Sequence, residues 1–247
     1  IIFKICRINY KINFAFFDNK KGYVRDGLAG DTDHASLHGN MFPLAFDLIP
    51  QNKQSQVIKF IESRGMACSV YGSQFLMDAL YKANAADYAL HMLTKTDDRS
   101  WYNMIKVGST ISLEAWDNKY KPNQDWNHAW GAAPANIIPR HLMGVEPLTP
   151  GFGTIRIKPQ VASLEWAKAI IPTIRGAVQM SVENKGGKYI LNVTIPANMD
   201  AEVYLPLPSG KYQVTNNGNP IKVRKMKNEP FLYVGKIGSG NYTFVVE

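Results

Sequence analysis

From Trp101 to Gly131 the chain reads WYNMIKVGSTISLEAWDNKYKPNQDWNHAWG, a stretch that gathers four tryptophans with Glu114, Asp117, Asp125 and His128. Indole faces stack on the apolar faces of a pyranose, while carboxylate, amide and imidazole groups bind hydroxyls and move protons. The stretch therefore suits a sugar ligand, although a tryptophan-rich helical core with polar capping groups would have the same composition. Glu114 follows Leu113 and precedes Ala115-Trp116, so it stands among apolar neighbours. Desolvation raises a carboxyl pKa and suits it to acid or base work near neutral pH; an ordinary solvated glutamate is the competing reading. Asp117 and Asp125 read as cap or turn residues.

Other combinations offer less. His34 and His38 are four apart, which on a helix would place both rings on one face, yet no Glu follows His34 and no cysteine cluster supplies further ligands. No metal and no cofactor is expected, and a structural role, or a sugar contact for one of the two, fits better. Gly151-Phe152-Gly153-Thr154 lacks the third glycine and the Lys-Ser/Thr ending of a phosphate loop. No Gly-x-Ser-x-Gly elbow supports serine hydrolase chemistry. Lys222, Arg224, Lys225 and Lys227 form a basic patch without the aromatic interleaving of a nucleic-acid site, and a solvated strand edge accounts for them.

The elements that must hold these residues follow from pattern. With 247 residues, 45% hydrophobic and 19% charged, the chain is long enough for one large domain or two ordinary ones. From about Ser36 to Met143 apolar residues recur at helical spacing, clearest in Val57, Ile58, Phe60, Ile61 and in Val70, Phe75, Leu76, Ala79, Leu80. Gly65 and Asn84 mark breaks, and the short separations predict antiparallel helical hairpins. Gly144, Pro147, Pro150, Gly151 and Gly153 then signal a boundary. Beyond it, strands are predicted at Thr154–Ile157, Ala177–Val182, Tyr189–Ile195, Ala201–Leu205, Tyr212–Thr215 and Tyr242–Val246, at the spacing of an antiparallel β-sandwich.

The net charge is +8, with 16 Lys/Arg against 14 Asp/Glu in residues 1–150 and 12 against 6 in 151–247. The basic part holds no histidine and only Trp166, so chemistry is expected before residue 150. Charge permits an anionic partner without requiring one, and no nucleic-acid partner is expected. Cys6 and Cys68 are too few for a disulfide framework and lie in no Cys-x-x-Cys pair. No apolar run approaches the roughly 20 residues of a membrane helix. The opening IIFKICRINYKINFAFF is interrupted by Lys4, Arg7 and Lys11 and lacks a cleavage site, and the start at Ile1 reads as part of a longer polypeptide.

Several segments together resemble the C-terminal half of bacterial α-L-rhamnosidases, glycoside hydrolases of family 78: HASLHGNMFPLAFDLIP (34–50), SRGMACSVYGSQFLMDALY (63–81), DDRSWYNMIKVGSTISLEAWD (97–117), PNQDWNHAWGAAPANIIPR (122–140) and GVEPLTPGFGTIRIKPQ (144–160). The Gly-Ser-Thr-x-x-x-Glu and Asn-His-x-x-Gly elements are its specific parts, and the likeness runs from roughly residue 22 to 247. It implies an atypical N-terminal stretch over 1–21, part of an (α/α)6 catalytic barrel over 22–146, and a β-sandwich over 147–247. It also implies inverting hydrolysis of terminal α-L-rhamnosyl residues by two carboxylates. Glu114 falls at the general base, His128 at a sugar contact, and Trp116, Trp101 and Trp130 become candidates for the aromatic lining. The family's acid lies in an upstream Asp/Glu/Arg-rich segment that residues 1–33 do not reproduce; Asp26, Asp31 and Asp33 are not in that motif. The implied partners are a rhamnose-containing oligosaccharide or glycoside and, to cover exposed helix faces, the upstream half of the enzyme or a second copy. The family suggests a periplasmic or extracellular address. The alternatives are a non-catalytic carbohydrate-binding remnant and another helical-barrel carbohydrate enzyme such as a lyase.

Overall fold

The computed structural model describes residues 15–28 and 30–247. Residues 1–14, with Cys6 and most of the stretch expected to be atypical, lie outside the described residues. The chain divides into two compact units, ending and beginning at Pro134 and Ala135.

The first unit opens with a short antiparallel hairpin of β1 (Phe17–Asp18) and β2 (Tyr23–Val24), and continues with α1 (His38–Ala45), α2 (Gln51–Arg64), α3 (Gly72–Lys82), α4 (Ala86–Thr94) and α5 (Trp101–Lys106). Asn40 ties the hairpin to α1. Its buried amide accepts from Val24 N at 2.8 Å and donates to Val24 O and Ser36 O at 2.9 Å each, so no polar atom of the pair is left unmade in the interior. Helix α2 ends at Gly65, whose φ of 57° suits a residue without Cβ, and α3 ends before Asn84 at φ 59°. Both breaks fall where the sequence places them.

Helix α2 is amphipathic, burying Val57, Phe60 and Ile61 along one stripe, whereas α3 buries Leu76, Met77, Ala79, Leu80 and Tyr81 as well as Gly72 and Ser73, on most of its circumference. Helix α1 packs chiefly on α3, its neighbour but one, as well as on α2. Each fully buried leucine or methionine in this layer contributes about 1.5–3 kcal/mol of transfer free energy. The expectation that the helical segment runs on to Met143 is corrected by residues 107–128, which form an irregular loop. Gly108 at φ 93°, Pro122 and the turn-forming Asn and Asp residues there outweigh the apolar spacing.

In the second unit β3 (Val145–Pro147), β4 (Thr154–Ile157), β8 (Asp200–Pro206), β12 (Phe231–Ile237) and β11 (Arg224–Lys225) form one sheet, in the order β11-β12-β8-β4-β3. The other sheet has the order β10-β9-β13-β7-β6-β5, from β5 (Trp166–Ile171), β6 (Val178–Lys185), β7 (Lys188–Ile195), β9 (Val214–Asn216), β10 (Asn219–Pro220) and β13 (Gly240–Val246). Strict alternation buries Tyr189, Leu191, Val193 and Ile195 of β7 and Ala201, Val203 and Leu205 of β8. The expected all-antiparallel pairing needs one correction: β4 and β8 run parallel, with Ile155 opposite Ala201 and Ile157 opposite Val203. The long connection between these two strands allows a parallel pairing that a hairpin could not make. Arg224 and Lys225 lie on the exposed edge strand β11, as expected of a basic strand edge.

Candidate active site

Two parts of the 107–128 loop lie side by side and set the geometry. Ser112 and His128 exchange bonds, with His128 N donating to Ser112 O at 3.0 Å and Ser112 Oγ donating to His128 O at 2.7 Å. One step along, Glu114 N donates to Asp125 O at 3.1 Å, and Ala115 N donates to Gln124 Oε1 at 2.8 Å. Leu113 between them is fully buried, which leaves Glu114 facing the opposite way. Gly131 is required for this approach: a Cβ there would stand 2.5 Å from Leu113 O and 2.8 Å from Ser112 Cβ. That contact explains the glycine of the Asn127-His128-x-x-Gly131 element.

The tryptophans fasten the loop to the helices. Trp116 is buried and donates from Nε1 to Cys68 O at 2.8 Å, and Trp101 meets it edge-on at 5.2 Å while donating from Nε1 to Gly131 O at 2.9 Å. Ser100 caps α5 by accepting from Asn103 N, and Asn103 in turn donates to Trp116 O and Asp117 Oδ2 at 3.0 Å each. Asp117 is thus the turn residue the sequence suggests.

Glu114 opens into a cavity of about 510 Å³ whose walls include Trp116, Trp130, Tyr71, His38, Arg99 and Lys121. Its side chain is 15% exposed, and it is the one carboxylate among the residues lining that cavity. Lys121 Nζ donates to Oε1 and Asp125 N donates to Oε2 at 3.1 Å. The Lys121 hydrogen bond first, then the Asp125 N–H, hold the carboxyl below the usual carboxylate range against the opposing effect of burial. The expectation of a raised pKa is therefore corrected: two donors outweigh desolvation, and Glu114 is an ionised acceptor, the form a general base requires.

His128 stands close to Glu114. Its ring lies 4.1 Å from that of Trp130, its Nδ1 is 3.7 Å from Asp125 Oδ2, and ligand atoms of Glu114, Asp125 and His128 lie within 4.8 Å of one another. In this cluster the cation on Glu114 is the Lys121 ammonium. Trp130, 43% exposed, continues the wall to Tyr71 at 5.1 Å. Of the four expected sugar-binding residues, Trp116 and Trp130 line the cavity; His128 is outside its lining but packs on Trp130 and stands close to Glu114, and Trp101 lies behind Trp116 because its indole N–H is engaged by Gly131 O. His34 and His38 do not converge: His34 Nδ1 is 2.5 Å from Asp26 Oδ2, and His38 lines the cavity. The Cys68 thiol, also in the wall, is pushed up to about 12 by burial and stays protonated, so it is no nucleophile. Tyr71, Arg99, Tyr120 and Lys121 escape the sequence reading; only the loop's path brings them to Glu114.

Residues 4–142 match the bacterial α-L-rhamnosidase six-hairpin glycosidase domain, and residues 144–219 match the bacterial α-L-rhamnosidase C-terminal domain. The chain belongs to the bacterial α-L-rhamnosidase family. An α-L-rhamnosidase of Alteromonas sp. (strain LOR) is 29% identical over 220 residues, which cover 83% of this chain and 23% of that protein. One from Formosa agariphila is 28% identical over 228 residues, covering 86% and 24%. This rhamnosidase-family chain thus spans about a quarter of the length of the curated relatives it matches. The solved α-L-rhamnosidase from Dictyoglumus thermophilum superposes with a TM-score of 0.80 at 22% identity, over 97% of this chain and 28% of that one. The Streptomyces avermitilis α-L-rhamnosidase complexed with L-rhamnose gives 0.75 at 21% identity, over 98% and 24%. These likenesses establish the fold of the family.

Proposed function

We propose that the protein carrying this chain hydrolyses terminal α-L-rhamnosyl residues with inversion, and that Glu114 is its general base. The observation that carries this reading is the ionised Glu114 carboxylate in a cavity walled by Trp116, Trp130 and Tyr71. The indole and phenol faces hold the apolar faces of the sugar. Glu114 takes a proton from a water that attacks the anomeric carbon, while a carboxylic acid supplied from outside the cavity lining protonates the departing glycosidic oxygen. The products are the free sugar of inverted configuration and the alcohol.

Asp125 does not fit the acid. Its nearest ligand atom is within 4.8 Å of that of Glu114, whereas inverting pairs stand about 6.5–9.5 Å apart to admit the water. Part of an (α/α)6 barrel is the architecture we infer for residues 22–146, supported by the packing of α1 on its neighbour but one and by the all-round burial of α3, as on the inner ring of such a barrel. The second unit, with strands from Val145 onward, is the β-sandwich in this reading.

The test is to assay the chain and its Glu114→Gln variant on an aryl α-L-rhamnoside, following the phenol and the anomer first formed. Loss of about 10²–10⁴-fold in the variant, with the inverted anomer from the parent chain, is expected. Rhamnose binding without turnover would favour the non-catalytic reading, which the single lining carboxylate also accommodates, and an unsaturated product would point to a lyase.

A further inference from the structure

From Val203 to Asn228 the chain carries Lys211, Lys222, Arg224, Lys225 and Lys227 and no aspartate or glutamate. These cations are exposed, and among the described residues no carboxylate pairs with any of them. Elsewhere in the second unit, by contrast, Lys158, Lys185, Lys188 and Lys236 each pair with a carboxylate. Two acids that border the cluster are already engaged: Glu229 by Lys158 at 2.7 Å, and Glu247, whose backbone bonds that of Gln213, by Lys188 at 3.0 Å.

The fold gathers these charges around tyrosines that the sequence keeps apart. Lys225 Nζ lies 5.4 Å from the centre of the Tyr212 ring and the Arg224 guanidinium 5.2 Å from that of Tyr233, which in turn meets Tyr204 at 5.1 Å. Tyr212 and Lys222, with Val214 and Ile221, line a groove of about 400 Å³ between the start of β9 and the segment that leads from β10 into β11. The ring contacts hold Lys225 and Arg224 in place, so part of the side-chain freedom that a ligand would have to remove is already lost. Like charges gathered without counter-charges repel one another, and an anionic ligand relieves that repulsion.

The layout also selects the form of the anion. The cations follow one another along β11 and its flanking segments, and Arg224 and Lys225 rest on different rings, which suits anionic groups spaced along a chain better than one small anion. Cations cover the faces of Tyr212 and Tyr233, which leaves little ring surface for bases to stack on. No large apolar side chain between 203 and 228 is exposed, as insertion at a lipid surface requires. A polysaccharide with uronate carboxylates or sulfate esters needs neither.

We propose that this groove and its basic edge bind an acidic polysaccharide. The inference is independent of the reading of the Glu114 cavity.

Equilibrium binding of the whole chain to fluorescently labelled polygalacturonate, dextran sulfate and neutral dextran tests it. One or both acidic polymers should bind and dextran should not; polygalacturonate alone would assign carboxylates, and dextran sulfate alone sulfate esters. The triple variant Lys222→Gln, Arg224→Gln, Lys225→Gln should bind at least about tenfold more weakly and with a shallower dependence on salt. A control of equal charge, Lys20→Gln, Lys59→Gln, Lys106→Gln, removes exposed lysines of the first unit and should change affinity by less than about twofold. Lys222→Arg with Lys225→Arg should retain the parent affinity. All the substituted side chains are exposed, and unchanged melting temperatures report that the variants are folded. Equal losses in the two triple variants would reduce the binding to net charge and overturn the site, as would dextran bound as tightly as the acidic polymers, or no binding at all. A labelled single-stranded oligonucleotide that binds more tightly than either acidic polymer, and loses affinity in the same triple variant, would overturn the polysaccharide assignment.

Discussion

Lys121 donates to one oxygen of Glu114 and the backbone of Asp125 to the other, and both interactions weaken when the carboxylate takes up a proton. Because the folded-state pKa lies below the unfolded one, the stabilisation is fully present above the unfolded carboxylate value and is lost as pH falls through the folded value. Replacing Lys121 with Met removes the largest cause of the shift and leaves burial opposed only by the Asp125 N–H and the charge of His128. The Glu114 titration, followed by carbon NMR of labelled glutamate carboxyls and assigned with Glu114→Gln, should therefore move upward in Lys121→Met and return in Lys121→Arg. An unmoved midpoint would show that Lys121 does not set the ionisation. Trp130→Ala should weaken rhamnose binding by removing part of the wall. Trp101→Ala should act through melting temperature first, because its indole braces Gly131 from behind the cavity. Glu114 and His128 were legible from their motif and tryptophan-rich surroundings; Lys121 was not, since nothing in Asn118-Lys119-Tyr120-Lys121 marks a side chain that folds back onto a residue seven positions earlier.

Among the elements, two glycines carry contacts that no side chain can share. Gly144 has φ 76°, and a Cβ there would lie 2.1 Å from the carbonyl of Lys158, so Gly144→Ala should cost more than about 1 kcal/mol in a denaturant titration. Gly131→Ala should instead push the 112–115 segment away and reduce sugar binding more than stability. On α3, Leu80 is fully buried, and Leu80→Ala opens a cavity that should cost about 2–5 kcal/mol. The strands predicted from alternation all appear, with ends displaced by up to three residues. β1, β2, β3, β5, β10 and β12 escape prediction: four of them have only two or three residues, Trp166–Ile171 exposes Trp166 and Ile170 on its outer face, and Phe231–Ile237 is broken by a register shift at Gly235, so neither longer strand shows a clean two-residue period in its sequence. The 107–128 loop escapes for a different reason. Leu113 and Trp116 are buried there while Val107, Ile111, Tyr120 and Trp126 are exposed, so the recurrence of apolar residues does not mark the buried face of a helix.

At the scale of the whole molecule, the first unit presents an aromatic surface to solvent. Phe46 and Tyr71 are 58% and 50% exposed, and Phe75 bridges them, its ring 5.9 Å from each. A surface of this kind favours association in a chain that spans about a quarter of its relatives' length. Sedimentation should show concentration-dependent self-association, reduced by Phe46→Ser. Because Phe46 is so exposed, that substitution should change stability by no more than about 0.5 kcal/mol.

Besides Trp116, Tyr120, Lys121 and Trp130 from the stretch after α5, the residues around Glu114 come from the segments where the chain enters α1, α3 and α5: His38, Ala67 to Tyr71, and Arg99. The side chains that hold the helices together lie further along, at Met41 and Leu44 of α1 and at Leu76 to Tyr81 of α3. Recognition and folding nonetheless share the entry segments, because Met66, Cys68, Val70 and Ser100 there are buried, and the exposed positions between them, such as Ala67 and Tyr71, are the ones that can change while the packing persists. New specificities should accordingly arise at Ala67, Tyr71 and Arg99, where a library of side chains can be screened while Met66, Cys68, Val70 and Ser100 keep the core.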